Sequence, residues 1–208
     1  NDPCGLDFHP WIDSYDGFVQ DDWKFSPKLT LNLGLRYEFN VPLIEKYGRM
    51  KTYDLATNDV RPGLKDSPLH PNDLNNFAPR LGLAYRLTGD GKTVLRAGFG
   101  VFYGVDDICN CNLYTNNPPN FFNQTFNSTP TSITMTMDNP YPVPPEEVFK
   151  TRAGLSIAGL DPDFRDDYYQ NWNLSVQREL PGSMVVEATY EGKIGHGLTR
   201  AVNINQAR

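Results

Sequence analysis

The sequence predicts an all-β chain of antiparallel hairpins, and three observations carry that reading. Apolar and polar residues alternate with a period of two over long stretches. Each stretch folds back on a partner across a short turn. Gly and Pro, 17 of each in 208 residues, are spread along the chain as in strand-and-turn proteins rather than helical ones.

The first hairpin joins 17–25 to 29–40 through Ser26, Pro27 and Lys28, where the proline ring presets one dihedral of the turn. In 29–40, Leu29, Leu31, Leu33, Leu35, Tyr37 and Phe39 fall on one face, and Thr30, Asn32, Gly34, Arg36, Glu38 and Asn40 on the other. The second hairpin spans 77–104 with its turn at 88–92. Phe77, Pro79, Leu81, Leu83 and Tyr85, then Leu95, Ala97, Phe99, Val101 and Tyr103, form its apolar set, while Val94 and Phe102 interrupt the polar one. The third spans 168–191 and turns at Pro181, Gly182 and Ser183, with Trp172, Leu174, Val176, Val186, Ala188 and Tyr190 on one side. Leu31, Leu33, Leu35, Leu81, Leu83, Phe99 and Leu174 are therefore expected to share an apolar face. Arg36, Glu38, Arg80, Arg86, Arg96 and Glu187 are expected on the opposite, wetter one.

Loop lengths narrow the fold further. Between hairpins lie 41–76 and 105–167, rich in Asn, Pro, Asp and Tyr and without sustained periodicity. Loops of that length are uncommon in compact soluble domains. Short turns at one end and long loops at the other is the plan of a transmembrane outer-membrane β-barrel with long extracellular loops. Strands of ten to twelve residues, at about 3.3 Å each and tilted near 45°, cover its apolar band of about 25 Å. Trp23, Phe25, Tyr37, Phe39, Tyr103, Trp172 and Tyr190 sit toward strand ends, where aromatic girdles lie. The alternative is a soluble or extracellular β-rich binding or structural protein, a sandwich or assembly subunit, whose strands alternate because one face packs on a core. Asp21 resists the barrel, since it shares the phase of Val19 and Trp23 unless a bulge shifts it. Arg178, beside a turn, can snorkel.

Composition excludes other classes. The net charge of −6 comes without Lys/Arg clusters, so there is no electrostatic footprint for nucleic acid. No run of 18 apolar residues is present, so no helix is expected to cross a membrane. The start Asn1-Asp-Pro-Cys4 has neither Met nor a signal peptide and reads as trimmed or processed. Cys4, Cys109 and Cys111 are loop cysteines whose pairing is open. His9, His70 and His196 fall in loops or near ends as solvated side chains, and no HExxH, G-x-S-x-G or P-loop accompanies them. Asp161, Asp163, Asp166 and Asp167 form a solvated acidic loop that lacks EF-hand spacing. Asn123 and Asn127 match glycosylation sequons without further support. The expectation is a protein that is not an enzyme, with no catalytic residue, metal or cofactor.

The phrases Phe18-Val-Gln-Asp-Asp-Trp-Lys24, Leu29-Thr-Leu-Asn-Leu-Gly-Leu-Arg-Tyr-Glu38, Phe77-Ala-Pro-Arg-Leu-Gly-Leu-Ala-Tyr85, Leu95-Arg-Ala-Gly-Phe-Gly-Val-Phe-Tyr-Gly104 and Asn171-Trp-Asn-Leu-Ser-Val-Gln-Arg178 resemble the barrel of TonB-dependent outer-membrane receptors, in particular the Oar-like group with a carboxypeptidase-regulatory-like domain. The resemblance covers the six strands and leaves the loops unmatched. It implies a partial barrel domain over 1–208, cut from a barrel of about 22 strands closed around a plug, because six strands cannot close such a barrel. It also implies location in the bacterial cell outer membrane, contact with its lipid, and energised uptake through a TonB complex engaged by parts of the protein outside this chain. No site residue transfers from the family.

The candidate ligand-binding residues come from the long loop instead. Residues 113–122 and 139–145 mix aromatics, amides and prolines. Tyr114, Phe121, Phe122 and Tyr141 are expected to bind a small-molecule, glycan or peptide ligand, because aromatic rings offer large contact area at small entropic cost.

Overall fold

The computed structural model describes residues 9–104, 114, 117–119, 129, 131, 135–138 and 157–204. Its strands are β1 (Pro10–Trp11), β2 (Ser14–Ser26), β3 (Leu29–Asn40), β4 (Ile44–Glu45), β5 (Lys51–Asp54), β6 (Asp59–Pro62), β7 (Phe77–Arg86), β8 (Thr93–Tyr103), β9 (Tyr168–Leu180) and β10 (Met184–His196). The chain divides into two compact units. One comprises Asn1–Ile12, Pro42–Pro71 and Asp107–Phe164, and the other Asp13–Val41, Asn72–Asp106 and Arg165–Arg208.

The second unit holds one antiparallel sheet in the order β10-β9-β8-β7-β3-β2. Neighbours in space are neighbours in the chain apart from the insertion between β3 and β7, so the sheet is a meander of the three expected hairpins. Both outer strands, β2 and β10, run for 13 residues and the sheet is not closed on itself. β2 and β10 extend beyond the alternating stretches because backbone pairing continues where side-chain contrast ends, as at Lys193–Asn171 and His196–Tyr168.

The turns explain why the hairpins form. Ser26 and Leu29 pair across Pro27-Lys28, and the Ser26 hydroxyl accepts from the amides of Lys28 and Leu29 at 3.3 and 3.1 Å. One extra residue of β2, between the pairs Lys24–Thr30 and Ser26–Leu29, makes a bulge beside this turn. Between β7 and β8, Asp90 accepts from the Thr88 hydroxyl at 2.5 Å and the Lys92 amide at 3.0 Å, while Gly91 takes a φ of 71°. These two bonds, the Thr88 one first, hold the Asp90 carboxyl below its ordinary pKa. The last turn uses φ values of 82° at Gly182 and 59° at Ser183.

Register fixes the two faces. Leu31 pairs with Leu83, Leu33 with Leu81, Leu81 with Phe99, Leu83 with Ala97, and Ala97 with Leu174, so the seven expected apolar residues share one side. Leu33, Leu35, Leu81 and Leu174 are 41 to 50% exposed, an apolar surface left uncovered among the described residues. Asp21 stands opposite Leu33 on that side. The bulge lies on the turn side of Asp21 and does not move it to the other face.

The first unit is made largely of the two long connections, and short strands appear in what the sequence presented as aperiodic loop. β4 pairs with β1, and β5 with β6. Leu43, Met50, Leu69 and Tyr114 form its apolar core, with Ile12 and Leu160 packed alongside. Polar groups organise the rest. Glu45 is 1% exposed and its carboxylate accepts from the amides of His9 at 3.1 Å, Tyr47 at 2.9 Å and Arg49 at 2.7 Å. The Asn117 amide group donates to the carbonyls of Lys51 and Ala158 at 2.7 and 2.8 Å and accepts from the Ala158 amide at 2.9 Å, giving buried backbone groups their partners.

Candidate functional site

The face opposite the leucines is built by the same register. One row across the sheet reads Gln20, Gly34, Arg80, Gly100, Asn171 and Lys193; the next reads Asp22, Asn32, Gly82, Gly98, Asn173 and Glu191. Arg36, Glu38, Arg80, Arg86, Arg96 and Glu187 all lie on this side, as the alternation predicts. Val94 and Phe102 lie there too.

Charge on this face is unevenly placed. The middle strands carry Arg36, Arg80, Arg86 and Arg96, while β2 contributes Asp16 and Asp22, and β9 and β10 contribute Glu179, Glu187 and Glu191. Arg36 is neutralised locally, with its Nη2 2.8 Å from Asp16 Oδ2 and its Nε 2.7 Å from Glu38 Oε1. The Nε–H points off that second contact and has no hydrogen-bond acceptor. Asn32 donates to Asp22, and Arg96 donates to the Gln177 side-chain oxygen at 2.5 Å. Two cations rest on rings: the Arg80 guanidinium lies 4.9 Å from the Phe102 centroid and Lys193 Nζ 4.1 Å from that of Tyr169.

Glycines lower the middle of the face. A Cβ on Gly82 would come within 2.9 Å of Asn32 Oδ1, and one on Gly98 within 2.9 Å of Asn173 Nδ2, so the amides lie down over the glycine backbone. Beside Gly34 the face sinks into an open cavity of about 140 Å³ bordered by Phe18, Gln20, Arg36 and Arg80.

At the end from which the long connections leave, Asp166 corrects the expectation of a solvated acidic loop. It is buried, accepts from Asn76 Nδ2 at 2.8 Å and Asn40 Nδ2 at 3.5 Å, and its own amide donates to Asp73 Oδ2 at 3.1 Å. It ties the loop ends to the sheet, whereas Asp161 and Asp163 are exposed. His70 departs from expectation as well: it is 4% exposed, its ring 4.6 Å from Phe164 and its Nδ1 2.9 Å from the Pro71 carbonyl. Among the described residues, no group of three or more His, Cys, Asp or Glu is arranged to hold a metal ion.

Of the four candidate ligand-binding residues, Tyr114 packs at 2% exposure against Leu43, Met50 and Leu69. Phe121, Phe122 and Tyr141 lie outside the described residues, as do Cys4, Cys109, Cys111, Asn123 and Asn127. Glu45 and Asn117 are polar residues to which sequence reasoning assigned no role, and Asp166 is one it expected to be solvated. Each is a single polar side chain in an aperiodic stretch; the partners of Asn117 and Asp166 lie far along the chain, and so does His9, one of the partners of Glu45.

Long antiparallel strands, an exposed apolar face and a charged opposite face define a membrane-spanning β-sheet protein. A scan against family models agrees: residues 7–208 match the Outer membrane beta barrel domain, and the chain belongs to that family. It is a protein of the bacterial outer membrane. No curated protein and no solved structure matches it. Family membership sets aside the soluble sandwich.

Proposed function

We propose that the chain is barrel wall and outer loop of a TonB-dependent receptor of the Oar-like group, which captures a ligand outside the cell and takes it up with energy from a TonB complex, without covalent chemistry. The observation that carries this reading is the resemblance of five strand phrases, in order and at matching spacing, together with a meander whose long connections all leave from one end of the sheet. Lipid meets the leucine face. The TonB complex engages segments other than these 208 residues. The ligand is a small molecule, glycan or peptide selected in 105–167, with Tyr114, Phe121, Phe122 and Tyr141 as its contacts. Tyr114 then acts from within a packed core, by holding the loop rather than by offering an open ring.

Deletion of 113–145 in the full-length protein tests this. Heat-modifiable migration on gels reports barrel assembly, and uptake into cells with and without a functional TonB complex reports transport. The expected result is intact assembly with uptake lost to the level of the TonB-deficient strain. Uptake that persists after the deletion, or that is indifferent to TonB, overturns the reading.

A further inference from the structure

We infer that the recess beside Gly34 is a binding site for a small monocarboxylate with an apolar body. This site stands on its own geometry, whether or not uptake depends on TonB.

The charge argument comes first. Arg80 lies between Gly34 on one neighbouring strand and Gly100 on the other, so no side chain stands beside it in its row. Its guanidinium carbon lies 4.9 Å from the Phe102 ring centroid, a cation–ring contact that uses no N–H group in a hydrogen bond to an acceptor oxygen. Among the described residues it has no carboxylate partner. Arg36, on the other side of the recess, already has Asp16 and Glu38. While Arg36 is shared between two carboxylates, Arg80 is therefore the cation of the recess without one of its own. A singly charged carboxylate matches it in charge and in planar two-oxygen geometry. A dianion would meet the carboxylates of Asp16 and Glu38.

The shape argument is independent of charge. The floor is the Cα of Gly34, where a Cβ would make ordinary contacts with Arg80 and Gln20 at 3.6 to 3.8 Å, so a larger side chain there would occupy the recess. Phe18 borders it and is 77% exposed, an apolar ring on the charged face. A ligand whose oxygens reach Arg80 lays its apolar body along Phe18, with Gln20 bordering the same recess.

The probe is 4-fluorobenzoate, followed by ¹⁹F chemical shift and linewidth against the full chain in detergent micelles, with empty micelles as the blank. A saturable shift is expected with the carboxylate and none with 4-fluorobenzamide. Arg80→Gln should weaken binding about tenfold or more, because it removes a charge-assisted two-point contact. Gly34→Val should do the same by filling the floor with the charge kept, and Gly34→Ala, which makes only ordinary contacts, serves if the valine variant does not fold by circular dichroism. Arg86→Gln, on the same face but away from the recess, should leave affinity within about twofold. The inference is overturned if Arg80→Gln and Arg86→Gln weaken binding equally, which means diffuse charge. It is also overturned if the amide binds as well as the acid, or if inorganic phosphate displaces the probe more effectively than acetate does.

Discussion

An arginine placed on the leucine face should cost different amounts at two positions of nearly the same depth, and the register says which. Leu33 lies four residues from the turn at Leu29, and Leu81 five from the end of β7 at Arg86. At about 3.3 Å per residue and a tilt near 45°, they stand about 9 and 12 Å into an apolar band about 25 Å tall. Arginine near that midplane costs about 2–4 kcal/mol. Leu81 is flanked in its row by Leu33 and Phe99, so Leu81→Arg should bear the whole cost. Leu33 is flanked by Leu81 and by Asp21, and opposite charges directly across a strand pair attract by up to about 1 kcal/mol. Leu33→Arg should therefore cost about 1 kcal/mol less than Leu81→Arg, and Asp21→Leu should remove the difference. The assay is reversible guanidinium unfolding from phospholipid bilayers, read by tryptophan fluorescence, as a double-mutant cycle over positions 21 and 33. Costs below about 0.5 kcal/mol for both arginines would show that this face does not meet lipid. A coupling of zero between positions 21 and 33 would show that β2 is out of register.

Glu45→Gln keeps the shape of the side chain but offers one oxygen where three backbone amides need acceptors. It should cost about 1.5–3 kcal/mol in the first unit, visible as faster amide exchange over 44–50 with the exchange of β7 to β9 unchanged. Asp90 supplies a pH test: its folded pKa is lowered, so its contribution is complete above the unfolded pKa and is lost as pH falls through the lowered folded value. The stability difference between wild type and Asp90→Ala should be constant near neutrality and shrink below the ordinary carboxylate range. Urea midpoints across that range measure it, and a difference that grows toward acid contradicts the sign.

What was legible in the sequence depended on period. The six long strands each carry enough alternation to set both their existence and their phase, and even Asp21 could be seen to sit on the wrong side. β1, β4, β5 and β6 run for two to four residues, too short for a period to register. Phe102 illustrates a subtler limit: alternation marks it as an interruption of the polar face, and only the neighbouring strand shows that it carries Arg80. Glu45, His70 and Asp166 were invisible for the same reason, since a charged or titratable residue in an aperiodic segment looks solvated until the distant groups that bury it are in place. The binding residues proposed from composition in 105–167 rest on chemistry without register.

The meander imposes an order on biogenesis. Residues 41–76 and 104–167 depart from the same end of the sheet, and the turns at 27–28, 87–92 and 181–183 from the other. The core of Leu43, Met50, Leu69 and Tyr114 takes three residues from the first connection and one from the second, so it can close only after both connections have been made.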